Sequence, residues 1–122
     1  MVPRSEQQRI LRQRQRLERL IELYLRQCYR KGTAARAGEL AGFMGLDPST
    51  LTRTVKRYLG VPPRVALRDR QIAEASRLLR ATRLPVDNVG LRVGFGTRAT
   101  FFRVFARATG CTPAAFRNKV KK

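Results

Sequence analysis

The 122-residue chain sets 27 lysines and arginines against 8 acidic residues, a formal charge of +19, and contains two cysteines and no histidine. That length suits one domain, or two small subdomains sharing a helix, and a hydrophobic fraction of 43% supports a packed core despite the charge. The composition leaves no zinc finger, no metal site, no Ser/His/Asp or Cys/His set, no phosphate loop and no paired carboxylates, so neither an enzyme nor a cofactor is expected. Cys28 and Cys111 fit as small buried hydrophobes, a disulfide or redox switch being the lesser reading. No apolar run reaches the roughly 18 residues that span a bilayer, and the N-terminus has no signal-peptide core, which places the chain as soluble and cytoplasmic, with no membrane partner.

In chain order, residues 6 to 29 have helical character, with Ile10, Leu17, Ile21, Tyr24 and Cys28 on one stripe widened by Leu20 and Leu25. Gly32 ends this helix. Its second half is apolar enough to pack, whereas the half carrying Arg9, Arg12, Arg14 and Arg16 has too little apolar face to be buried. A short helix is expected over 37 to 44, ended by Gly45. Asp47-Pro48 reads as an N-cap followed by proline at the first helical position, opening a helix to about Leu59. Gly60 and Pro62-Pro63 close it. A connecting helix of about 27 Å is expected from Arg64 to Ala81, with Val65, Leu67, Ile72, Ala75, Leu78 and Leu79 as its apolar residues. After Leu84-Pro85, residues 86 to 93 form a second short helix, Gly94-Phe95-Gly96 a turn, and Thr97 caps a helix through Ala108. Residues 113 to 118 add one last turn. No strand-like alternation occurs, and the fold class is all-α.

Two stretches of this plan repeat. Leu40-Ala41-x-x-Met44-Gly45-Leu46 aligns with Val89-Gly90-x-x-Val93-Gly94-Phe95 at an offset of 49, and Leu51-x-Arg53-x-Val55 with Phe101-x-Arg103-x-Phe105 at 50. Gly60 and Pro63 then pair with Gly110 and Pro113. The additional residue, Gly96, falls in the turn, where an insertion is best tolerated. Each copy is a short helix, a glycine turn and a second helix with a polar, basic outer face, the outline of a helix-turn-helix. Combined with the charge, the duplication points to double-stranded DNA.

In such a unit the second helix buries one stripe and offers the other to the major groove. With Leu51, Val55 and Tyr58 inside, copy one offers Ser49, Thr50, Thr52, Arg53, Lys56 and Arg57. With Phe101 and Phe105 inside, copy two offers Arg98, Ala99, Thr100, Arg103 and Arg107. Arg53 and Arg103 occupy equivalent places and are the best candidates to grip guanine, although each arginine can meet either a base or a phosphate. Phe102, where copy one has Thr52, either meets a thymine methyl or widens the apolar stripe, and packing is the favoured reading. After Asp87 the chain has no acid, so the second copy is expected to sit in an acid-free basic surround that leans on phosphates.

The ordered set Val86-x-x-Val89-Gly90-x-x-Val93-Gly94-Phe95-Gly96-Thr97-x-x-Thr100-Phe101-Phe102-Arg103-x-Phe105, then Gly110-Cys111-Thr112-Pro113-x-x-Phe116-Arg117, resembles the second helix-turn-helix of the AraC/XylS family of bacterial transcription regulators. Leu40-Ala41, Leu51-x-Arg53, Gly60 and Leu67-Arg68-x-Arg70-x-Ile72 resemble the first half. The resemblance covers residues 17 to 118. It implies two subdomains joined by a rigid helix and entering successive major-groove segments on one face of the duplex, roughly 34 Å apart. It further implies a sequence-specific regulator, an activator more often than a repressor, that contacts RNA polymerase. Gly90 stands where the family usually has alanine, a change expected to cost the short helix roughly 1 kcal/mol. Ala66, Pro62, Ala99 and Phe102 depart from the pattern as well.

The domain plan is therefore a basic extension (1–16), a first helix-turn-helix subdomain (17–63), a linker helix (64–82), a second subdomain (83–118) and a basic tail (119–122). The extension is either an arm for phosphates or a protein partner, or a frayed end. Since most family members carry a sensing or dimerisation domain before this unit, the chain is either a stand-alone regulator or part of a longer protein. It shows no evident small-molecule ligand and is expected to be a monomer or weak dimer in the nucleoid. The alternative is a nucleoid-type architectural protein with little sequence preference, which would have no need of paired, capped recognition helices.

Overall fold

Seven helices follow one another in the computed structural model, which describes residues 3–120. They are α1 (Arg4–Lys31), α2 (Ala37–Met44), α3 (Pro48–Leu59), α4 (Pro63–Ala81), α5 (Val86–Arg92), α6 (Arg98–Thr109) and α7 (Pro113–Val120). No strand occurs among the described residues, and the fold is all-α as expected. Lys121 and Lys122 of the basic tail lie outside the described residues, as do Met1 and Val2.

Helix α1 buries Leu17, Ile21, Tyr24, Leu25 and Cys28, and closes at Gly32, whose φ of 69° is the left-handed value glycine tolerates. The basic extension is continuous with it: the helix begins at Arg4, and side chains from there to Arg16 are all exposed. Ile10, expected on the apolar stripe, is 41% exposed, with only the end of α3 bordering it through Arg57 and Tyr58.

Two hydrophobic clusters make up the core. The first gathers α1, α2 and α3 around Ile21, Leu40, Leu51 and Val55 and includes Leu67 from the start of α4. The second gathers Ala75, Leu78 and Leu79 of α4 with Val89, Val93, Phe95, Phe101 and Phe105. Tyr29 packs against both, and burial raises its phenol pKa above the ordinary value.

Helix α4 serves the two clusters from different sides. Pro63, Ala66 and Leu67 are buried in its first turns, and Ala75, Leu78 and Leu79 in its last. Twelve residues from Pro63 to Ala75, at about 100° each, turn the buried stripe through roughly 120°. A single stripe therefore misplaces Val65 and Ile72, which are only half-buried, and overlooks Ala66 and Gln71, which are buried.

Gln71 is the one buried polar side chain among the described residues. Its Nε2 donates to Val93 O at 2.8 Å and Gly94 O at 3.0 Å, and Ala35 N also donates to Gly94 O at 3.0 Å. The turn of the second copy is thus tied to α4 and to the loop after α1. One residue earlier on α4, Arg70 pairs with Glu18 at 3.1 Å and Glu22 at 3.2 Å of α1.

The C-terminal segment is longer than the single turn expected. In α7, Phe116 meets Phe105 edge-on at 5.3 Å, while Arg117 Nε donates to Leu79 O at 3.1 Å and its guanidinium to Thr82 O at 3.4 Å. Carbonyls left open at the end of α4 are satisfied in this way. Cys28 is buried, as expected, whereas Cys111 is only half-buried, its Sγ 3.8 Å from the Thr109 hydroxyl.

Two backbone hydrogen bonds of the turn recur at the offset of 49. Leu46 N donates to Ala41 O at 2.9 Å in copy one, and Phe95 N to Gly90 O at 3.1 Å in copy two. Gly45 N to Gly42 O at 3.1 Å likewise matches Gly94 N to Leu91 O at 3.2 Å. Gly96, with φ of 82°, is the surplus turn residue. At Gly90 the structure supplies a packing reason for the glycine: an added Cβ would overlap the Phe101 ring, lying 2.6 Å from its Cγ. Glycine there makes room for the aromatic core.

Candidate nucleic-acid interface

The presentation of α3 and α6 starts at their caps. Asp47 accepts from Thr50 N at 2.9 Å and from Thr50 Oγ1 at 2.7 Å. Thr97 accepts from Thr100 N at 3.1 Å and donates to Thr100 Oγ1 at 2.9 Å. Each cap satisfies an orphan amide of the first turn and fixes the threonine hydroxyl beside it. Hydrogen bonding from Thr50 also holds the Asp47 carboxyl below its ordinary pKa.

Beyond the caps, each helix turns its buried residues inward, Leu51 and Val55 in α3 and Phe101 and Phe105 in α6. Tyr58, expected inside, is only half-buried, with the Arg57 guanidinium 5.4 Å from its ring centre. The opposite faces expose Ser49, Arg53, Lys56 and Arg57 on α3, and Arg98, Ala99, Arg103 and Arg107 on α6. Thr50, Thr52 and Thr100 are half-buried, and Thr52 Oγ1 donates back to Pro48 O at 3.0 Å. Arg53 reaches Thr50 Oγ1 at 3.3 Å.

Arg98 differs from the other arginines of this set. Its Nε donates to Asp87 Oδ1 at 2.7 Å and its guanidinium lies 4.4 Å from the Phe102 ring centre. The second copy therefore does not stand in an acid-free surround, because α5 brings Asp87 against the start of α6 across 11 residues of sequence. Phe102 is half-buried, edge-on to Phe101 at 5.9 Å, in keeping with packing.

The two helices share a surface. A depression beside α3 is lined by Thr52, Lys56 and Arg64. Arg64 also lines the next depression, a cleft that continues through Arg68 and Arg36 to Thr100 and Arg103 of α6. The far flank of α3 meets α1 instead, where Arg57 and Tyr58 border a hollow with Arg9, Ile10 and Gln13. The basic extension thus adjoins the C-terminal end of α3. Helical periodicity did not single out Arg36, Arg64 or Arg68. Only the folding of α4 and of the loop after α1 beside α6 brings them to this surface.

No helix among the described residues is long and apolar enough to cross a membrane. No group of acids and cysteines there has the spacing to hold a metal.

Comparison with known proteins places this arrangement. The helix-turn-helix domain family model matches residues 40–119. The arabinose operon regulatory protein of Escherichia coli is 39% identical over 72 residues, covering 59% of this chain and 25% of that protein. The probable transcription factor PqrA of Proteus vulgaris is 31% identical over 78 residues, covering 64% of each. The chain spans about a quarter of the length of the first curated relatives it matches, 25% and 26%. Among solved structures, the C-terminal domain of AraT, a response regulator from Geobacillus stearothermophilus, superposes with a TM-score of 0.71 at 25% identity, over 90% of this chain and 84% of that one. The DNA-binding domain of AdpA, solved with a target DNA, superposes with a TM-score of 0.71 at 24% identity, over 83% and 92%. The chain belongs to the AraC/XylS family of helix-turn-helix transcription regulators.

Proposed function

We propose that this chain binds duplex DNA sequence-specifically and activates transcription, with α3 and α6 entering two successive major-groove segments. One observation carries the reading. A cap, a locked threonine and an exposed arginine recur at an offset of 50 on two helices whose near flanks open onto one basic surface. In this reading Ser49, Thr50, Thr52, Arg53, Lys56 and Arg57 contact DNA from α3, and Ala99, Thr100, Arg103 and Arg107 from α6. Arg98 joins them once it leaves Asp87. The first subdomain (17–63) and second (83–118) act as reading heads on the linker helix (64–82), and the extension (1–16) adds phosphate contacts beyond α3. RNA polymerase is the protein partner, and the chain works in the cytoplasm, on the chromosome, as a monomer or weak dimer. No catalytic step is involved.

Selection from randomised duplex DNA tests this. The expected product is two half-sites about 10 base pairs apart, centre to centre, preferred over random DNA by at least roughly 10³-fold. Equal affinity for all duplexes would favour a nucleoid-type architectural role instead.

A further inference from the structure

Arg36, Arg64 and Arg68 line the cleft between the two candidate reading heads, with Arg103 at its α6 edge, and no acidic residue lines it. None of the four takes part in an ion pair among the described residues. Two other arginines of the same helix are matched by acids, Arg70 by Glu18 and Glu22 of α1, and Arg77 by Glu74. Eight acids serve 27 cations in this chain, and none is spent here.

The positions of these arginines are set by the fold. Arg36 stands at the N-cap of α2, where its backbone N–H donates to Tyr24 Oη at 2.9 Å and its carbonyl accepts from the same hydroxyl at 3.1 Å. Arg64 and Arg68 lie one turn apart on α4, held by the buried Pro63, Leu67 and Gln71 between and beside them. Gln71 in turn holds the turn that leads into α6. Like charges converge on a rigid floor with no counter-charge, an arrangement that costs the isolated protein self-repulsion and is relieved by a polyanion.

We infer that Arg36, Arg64 and Arg68 form a phosphate clamp that grips the DNA backbone at the centre of the site, between the two major-groove segments. The inference rests on the proposed binding mode, since α3 and α6 in successive major-groove segments leave a stretch of backbone to cross this cleft. It adds a function that the recognition helices do not supply: it anchors the chain to the backbone between them and contributes affinity with no base preference.

The test replaces the three arginines together (Arg36→Gln, Arg64→Gln, Arg68→Gln) and measures binding to the selected site and to random duplex across a salt series. Each lost phosphate contact should flatten the slope of log K against log salt by about 0.9. The triple variant should therefore lose roughly 2.7 in slope, weaken both DNAs by about 10²-fold near 0.15 M salt, and keep their affinity ratio. Hydroxyl-radical footprinting should lose protection at the central phosphates and keep it in the flanking segments. Helical circular dichroism and the melting temperature should match the parent, and a second triple variant on the extension (Arg9→Gln, Arg12→Gln, Arg16→Gln) should leave the central protection intact. A folded clamp variant with unchanged slope and unchanged central protection would overturn the clamp. A parent protein with no preferred site at all would instead overturn the binding mode on which it rests.

Discussion

The Phe101 ring lies against the α-carbon of Gly90, so close that a methyl group at position 90 would stand 2.6 Å from Phe101 Cγ. In the first copy the equivalent pair is Ala41 and Leu51, both buried in the other cluster. The two copies thus solve one packing problem with opposite volumes: alanine against leucine, glycine against phenylalanine.

Gly90→Ala should therefore destabilise the fold. Alanine gains about 1 kcal/mol of helix propensity, but forcing a methyl into a packed core costs about 1 to 3 kcal/mol. The Phe101→Leu change made together with Gly90→Ala rebuilds the copy-one pair and should recover part of the loss. Urea unfolding of the single and double variants checks this, and a Gly90→Ala protein more stable than the parent would contradict the packing.

Gln71→Leu should cost about 1 to 3 kcal/mol by removing the buried donor that serves Val93 O and Gly94 O. Gly94 O keeps its bond from Ala35 N, so Val93 O is the carbonyl left without this partner. Thermal unfolding measures the loss. Faster amide exchange in the α5–α6 turn than in α2–α3 would locate it, and uniform loosening would argue against a local tie.

Arg103→Ala should relax preference at one base pair by about 1 to 3 kcal/mol, and Arg53→Ala should do the same in the other half-site. Binding to single-base variants of the selected site is the measurement. If every sequence weakens equally and the salt slope falls by about 1, the arginine holds a phosphate.

The two caps should respond differently to acid. The folded pKa of Asp47 is depressed, so its capping contribution is complete above the ordinary 3.8 and is lost as pH falls through the lower folded value. Thr97 does not titrate. In an NMR titration the Thr50 amide should move with a midpoint below 3.8 while Thr100 stays still. Asp47→Thr should abolish the response, and a midpoint at or above the ordinary value would show that the cap is not formed.

Much of this protein is local and therefore legible in a string of residues. Caps at Asp47 and Thr97, stops at Gly32, Gly45, Gly60 and Gly110, and the surplus Gly96 act over one helical turn, and the structure keeps all of them. The buried stripes of α3 and α6 follow from the period of one helix packing against one core. Helix α4 resists the same treatment because it packs against two cores, and its stripe turns between Pro63 and Ala75. Three further features depend on residues that only the fold brings together. The need for Gly90 lies in Phe101, the partner of Arg98 is Asp87, and the basic cleft joins Arg36 to Arg64 and Arg68. Sequence by itself determined the helices, the duplication and the outward faces, since hydrogen bonds and apolar period within a turn decide those. Tertiary structure alone decided which side chains are spent on one another and which cations stay free, because ion pairing and overlap depend on distance in space.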